Sequence, residues 1–101
     1  MKNPRGYLLV RVYFTEEEEY LIRRLLKNLM DKGISGMTLL KGILGYGQEG
    51  KFHYEGVETL SYDLPVIMEF VEDEDKALSV LEELKNLLKG RLITLEKVSL
   101  C

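Results

Sequence analysis

Apolar residues in this chain recur at about every second position, then at about every 3.6, and that alternation runs through twice. No other feature limits the fold as tightly, because the period decides which side of an element can be buried. Residues 7–14 (YLLVRVYF) are aromatic and branched, lie between Gly6 and Thr15, and read as a strand. Residues 20–30 carry a helical stripe at Leu21, Leu25 and Leu29, with Ile22, Leu26 and Met30 beside it. Residues 36 to about 44 (GMTLLKGIL) are a second strand, and residues 64–71 (LPVIMEFV) a third. Pro65 stands near the start of that third strand, where a missing N–H is tolerated. Ala77, Leu78, Leu81, Leu84 and Leu88 form a second helical stripe, and residues 91–100 (RLITLEKVSL) a fourth strand.

Boundary signals support these elements. Thr15 followed by Glu18 is a capping box, in which the Glu18 carboxylate reaches back to the Thr15 amide. Glu16, Glu17, Glu18 and Glu19 place negative charge at the positive end of the helix dipole. Four consecutive glutamates also resemble a cation site, but a helix start explains them without one. Lys32-Gly33 and Lys89-Gly90 close the two helices, and Asp73, Glu74 and Asp75 cap the second. The order is β-α-β-β-α-β. It predicts an α+β ferredoxin-like sandwich, a four-stranded antiparallel sheet with two helices on one face. At 101 residues the chain is expected to be a single domain, residues 1–101.

Composition excludes several functions. Apolar residues make up 46% and charged residues 31%, too apolar for a disordered tail. Lys plus Arg is 14 against 17 Asp plus Glu, for a net charge of −3. That balance argues against a dedicated nucleic-acid binder, although a few basic residues can still gather round one anion. A single cysteine, Cys101, makes no internal disulfide, and one histidine, His53, offers little to a metal, so no metal site is expected. No apolar run approaches the ~18 residues of a membrane span, and the start of the chain does not fit a secretory signal. The expected location is cytoplasmic. Abundant Glu and Lys with one Cys also follows the composition trend of thermophile proteins.

Two features point toward partners. In the first strand Leu8, Val10, Val12 and Phe14 alternate with Tyr7, Leu9, Arg11 and Tyr13, and in the third Val66, Met68 and Phe70 with Ile67, Glu69 and Val71. Both sheet faces therefore carry large apolar side chains, including the one that no helix covers. Self-association through that open face is therefore expected. The second feature is a glycine-rich loop at about 43–62, carrying Gly45, Gly47, Gly50 and Gly56 among Tyr46, Gln48, Lys51, Phe52, His53 and Tyr54. Glycines let backbone N–H groups approach an oxygen-rich anion. Lys41 and Arg91 are candidate phosphate partners, and Arg can engage two oxygens at once. A hinge at a long hairpin uses the same glycines, and the spacing matches neither a Walker loop nor a dinucleotide-binding fingerprint.

Four segments bear on that choice: GISGMT at 33–38, GYGQEG at 45–50, YEGVE at 54–58 and LPVIME at 64–69. In this order they resemble the PII (GlnB-type) nitrogen-regulatory signalling proteins, and more closely the short PII-like family related to them. The resemblance implies a GlnB-like fold, a homotrimer formed through the open sheet face, and an adenine nucleotide (ADP, ATP or AMP) bound in clefts between subunits. It implies a nucleotide site at Thr38, Lys41, Gly45, Tyr46, Gly47, Gln48, Ile67, Gly90 and Arg91. Thr38 and Ile67 would meet the adenine, Gly45, Tyr46 and Gly47 the ribose and phosphates, and Gly90 and Arg91 the phosphates. Gln48 stands where PII proteins have an arginine, and Tyr54 at the position they modify. The loop would signal to a protein target, whether a transporter, a channel or an enzyme.

There are departures too. The glycine loop before the last strand is cut to Lys89-Gly90-Arg91, and PII's later pair of arginines has no counterpart in this sequence. A weaker grip on phosphate follows, with ADP or AMP suited as well as ATP. An enzyme is not expected. The fold also hosts acylphosphatases, but their anion-cradling turn is replaced here by Phe14-Thr15-Glu16. A trimeric metal-binding or scaffold protein of the same fold is the alternative, with His53 and Cys101 as its thin ligand set.

Overall fold

Along β1 (Tyr7–Thr15), every second residue is buried: Leu8, Val10, Val12 and Phe14. The strand lies inside the sheet, paired antiparallel to β5 (Pro65–Asp73) on one side and to β6 (Ile93–Val98) on the other. The computed structural model that gives this arrangement describes residues 6–46, 52–54 and 64–101, with side chains for 6–43 and 64–101. β2 (Thr38–Lys41) adds to the far side of β5, so the sheet order is β2-β5-β1-β6. All its pairs are antiparallel. With α1 (Glu19–Asp31) and α2 (Glu74–Glu83) in the crossovers, this is the ferredoxin-like topology that the order of periods predicts.

The register sets the core. Val10 lies opposite Phe70 and Leu95, and Val12 opposite Met68 and Ile93. Ile22, Leu25 and Leu29 of α1 and Ala77 and Val80 of α2 close over the same face. Two residues of the expected stripes lie outside it. Met30 is 65% exposed and Leu78 42%. At about 100° per residue, each sits more than a right angle from the midline of its helix's buried arc.

Helix ends follow local chemistry. The Thr15 amide donates to Glu18 Oε1 at 2.9 Å, the reach-back half of the expected capping box. Glu16–Glu18 form one 3₁₀ turn ahead of α1. At the other end Gly33 has φ +82°, and the Ile34 amide reaches back to Leu29 O at 3.0 Å. Ile34 and Leu29 are both buried, which completes the left-handed stop. Asp73 caps α2 by accepting from the Lys76 amide at 3.2 Å.

Several boundaries differ from the expected ones. α2 stops at Glu83, and the chain continues to Gly90 as turns in which Leu84 and Leu88 stay buried. The Lys85 amide bonds Glu82 O, three residues back, which breaks the four-residue ladder. β6 is shorter than expected at both ends. β2 ends at Lys41, and within the segment expected to be a loop β3 (Leu44–Tyr46) pairs antiparallel with β4 (Phe52–Tyr54). Apolar period misses this hairpin because each strand is only three residues long and Gly45 interrupts the first.

On the open face, Arg11 lies between Glu69, 3.2 Å away, and Glu96, 3.4 Å away. Leu9, Tyr13, Leu40, Ile67 and Val71 share that face by register. Met68 is fully buried between Val12 and Leu39. Met68→Ala is expected to cost about 2–5 kcal/mol. Urea unfolding checks this, and an unchanged midpoint would contradict the core assignment.

Candidate functional site

Four chain segments meet where β1 ends. Thr15 pairs with Pro65, and the Glu16 amide donates to Leu64 O at 2.9 Å. The Gly42 amide, just past β2, donates to Pro65 O at 2.8 Å. The Tyr13 amide donates to Leu92 O at 3.1 Å, which brings in the start of β6. The corner therefore holds the chain leaving β1 and β2 and the chain arriving at β5 and β6. Gly42 is required by closeness: a Cβ there would lie 2.7 Å from Pro65 Cγ, well inside contact distance.

Two cationic side chains converge on this corner. Lys41 Nζ lies 2.6 Å from Glu16 Oε2. The Arg91 guanidinium pairs with Glu18 Oε2 and lies over the Phe14 ring, 5.3 Å from its centroid. Each carboxylate is also tied to the backbone by its other oxygen. Glu16 Oε1 accepts from the Leu64 amide at 3.4 Å, and Glu18 Oε1 from the Thr15 amide at 2.9 Å. The same glutamates that start the helix thus hold both cations. Sequence reasoning missed this second role, along with Phe14. Nothing in the local pattern links Glu16 to Lys41 or Glu18 to Arg91, and only the sheet brings them together.

The remaining expected residues fall in several places. Gly90 adjoins Arg91 with φ +81°, and nothing lies within 4 Å of where its Cβ would be. Its glycine answers the backbone turn and leaves open space beside Arg91. Thr38, opposite Glu69, and Ile67, opposite Leu40 and Tyr13, lie on the open face of the sheet. Thr38 is three residues before Lys41, roughly 10 Å along the strand. Lys41 lies opposite the buried Val66 and so belongs to the helix side. One chain therefore splits these residues between two faces. Gly45 and Tyr46 lie in β3, their backbones opposite His53 and Phe52. Gly47 and Gln48 lie outside the described residues. Among the described residues, no group of three His, Cys, Asp or Glu is placed to hold a metal ion.

A separate groove runs between α1 and the turns after α2, lined by Leu21, Arg24, Asn28 and Leu87 among others. None of the expected site residues lines it.

Similar proteins add a further observation. The family model DUF190, described as "Uncharacterized ACR", matches residues 7–100. A UPF0166 protein of Aquifex aeolicus is 41% identical over 91 residues, covering 90% of this chain and 93% of the relative. Among solved structures, CPII, a nitrogen regulatory PII-like protein from Thiomonas intermedia K12 bound to ADP, AMP and bicarbonate, superposes with a TM-score of 0.71. It is 12% identical, with 100% of both chains covered. The GlnK–ATP complex of B. subtilis superposes with a TM-score of 0.63 at 14% identity, covering 97% of this chain and 86% of GlnK. At those identities the likeness establishes a shared fold, which is PII-like.

The corner's geometry makes one stability prediction. Gly42→Ala is expected to cost about 1–3 kcal/mol, because the proline ring cannot yield as a flexible chain end would. Pro65→Ala removes the blocking Cγ, so the double variant should lose less than the two single variants summed. Additive losses in urea unfolding would reject the Gly42–Pro65 contact as the cause.

Proposed function

The chain belongs to the DUF190 family, and we propose that it works as a PII-like regulatory protein that binds an adenine nucleotide and is not an enzyme. The observation that carries this proposal is the corner at the end of β1. There Lys41 and Arg91, the two cations named from sequence, are gathered where the chain leaves β2 for the segment from about 43 to 62. Gly90 beside Arg91 leaves room for a ligand to approach the backbone. The guanidinium can engage two phosphate oxygens.

Thr38 and Ile67 favour a site shared between subunits. They sit on the open face while Lys41 lies on the helix side, so one chain does not present all of them to one ligand. In the proposed homotrimer, the open faces pack together, covering Leu9, Tyr13, Leu40, Ile67 and Val71, and the corner of one chain meets its neighbour's sheet. The Arg11–Glu69–Glu96 group would be enclosed there, where paired charges fix orientation more than they stabilise. Adenine would rest near Thr38 and Ile67, and the phosphates near Gly90, Arg91 and Lys41. Gly45, Tyr46 and Gly47 would surround the ribose and phosphates, and Gln48 would face the phosphates. Binding there would change which protein target can dock, with a transporter, a channel or an enzyme all open as that target. Among the described residues no helix is long and apolar enough to cross a membrane. We place the protein in the cytoplasm.

Titration calorimetry with ATP, ADP, AMP and cyclic AMP, with the mass taken by light scattering, tests this directly. Saturable binding near one nucleotide per chain, in a particle of three chains, is the expected result. A well-folded trimer that binds none of them would instead indicate a scaffold or metal-binding role. Arg91→Ala should weaken nucleotides roughly tenfold, about 1.4 kcal/mol, and leave adenosine almost unchanged. Equal losses for both would remove Arg91 from the phosphate site.

A further inference from the structure

We infer that Glu16 and Glu18 determine which nucleotide the site accepts, by holding Lys41 and Arg91 and disfavouring each additional phosphate charge. This inference rests on the nucleotide-binding proposal and extends it to specificity. Lys41 is held by Glu16 at 2.6 Å, and Arg91 by Glu18 across the Phe14 ring. A phosphate approaching either cation meets a carboxylate already in place.

Neither carboxylate is well able to swing aside. Glu16 Oε1 accepts from the Leu64 amide at 3.4 Å, and Glu18 Oε1 from the Thr15 amide at 2.9 Å. Moving Glu18 away would also undo the start of α1. The ligand must therefore share each cation with its glutamate. Glu16 and Glu18 belong to one 3₁₀ turn, so two cations face two carboxylates at this corner and the charges balance. Each carboxylate lies far closer to its cation than a Debye length, about 10 Å at 0.1 M salt, and so a phosphate bound at either cation also feels the paired carboxylate.

The consequence is a changed order of affinity. In a site of net positive charge, each added phosphate strengthens binding. Here the gain from a second and third phosphate is offset by repulsion from fixed carboxylates. AMP and ADP should bind at least as tightly as ATP in buffer free of divalent cations. Raising the salt should narrow the differences between the three.

Glutamine replacements isolate the charge. Gln keeps a side-chain oxygen for the Leu64 or Thr15 amide and removes the pairing with the cation. Glu19→Gln is the control, since Glu19 pairs with Arg23 on the exposed side of α1, 2.7 Å apart. Calorimetry with adenosine, AMP, ADP and ATP in EDTA-containing buffer compares the variants with the parent, and thermal unfolding confirms that each is folded. Glu18→Gln should tighten ATP about tenfold and AMP less, with adenosine unchanged. Glu16→Gln should act in the same direction, and Glu19→Gln should change little. An unaltered order of affinity in the Glu16 and Glu18 variants would overturn this inference and leave nucleotide binding standing. An equal effect from Glu19→Gln would overturn it too, since net charge alone would then explain the shift. Absence of binding for every nucleotide, in the parent and in all the variants, would overturn both.

Discussion

Burial of one side of β1 is the constraint on which the rest depends. Leu8, Val10, Val12 and Phe14 are each 4% exposed or less, and they touch both flanking strands and lie beneath both helices. A shift of one residue in register would turn Arg11 into the core and Val10 or Val12 out of it. The strand can therefore pair in one way only. That pairing decides where β5 begins and β6 arrives, and hence which side chains meet at its far end.

At that end, local and long-range structure use the same atoms. Glu18 closes the capping box with one oxygen and holds Arg91 with the other. Glu16 takes the Leu64 amide with one oxygen and Lys41 with the other. Half-exposed ion pairs add little stability on their own. Their importance lies in position: two cations, one from β2 and one from the chain just before β6, are fixed beside the start of a helix. A charge cluster built this way is coupled to the fold around it, and its balance belongs to the same residues that start α1.

Much of this was legible from the chain itself. The two helical stripes, the Thr15–Glu18 box and the Lys32-Gly33 stop are short-range, because their partners lie within a turn. Charge and the neighbouring glycines single out Lys41 and Arg91 as candidates, but not the glutamates that hold them. Three kinds of feature were not legible. Met30 and Leu78 continue an apolar pattern but point outward, since period alone does not mark the edge of a buried arc. α2 ends early although Leu84 and Leu88 keep the stripe, because burial does not require a helix. Hairpin pairing of β3 with β4 depends on backbone bonds that glycine-rich sequence does not announce.

Order of periods, capping residues and the alternation of β1 are properties of neighbours along the chain, and the sequence determined by itself that they would make a β-α-β-β-α-β sandwich with an apolar open face. Tertiary structure alone decided which charges would meet. Glu16 finds Lys41, Glu18 finds Arg91, and Thr38 and Lys41 part to opposite faces, because strand register joins residues distant in the chain. Contact across a sheet has no sequence spacing of its own; it exists only once β1, β5 and their partners have paired.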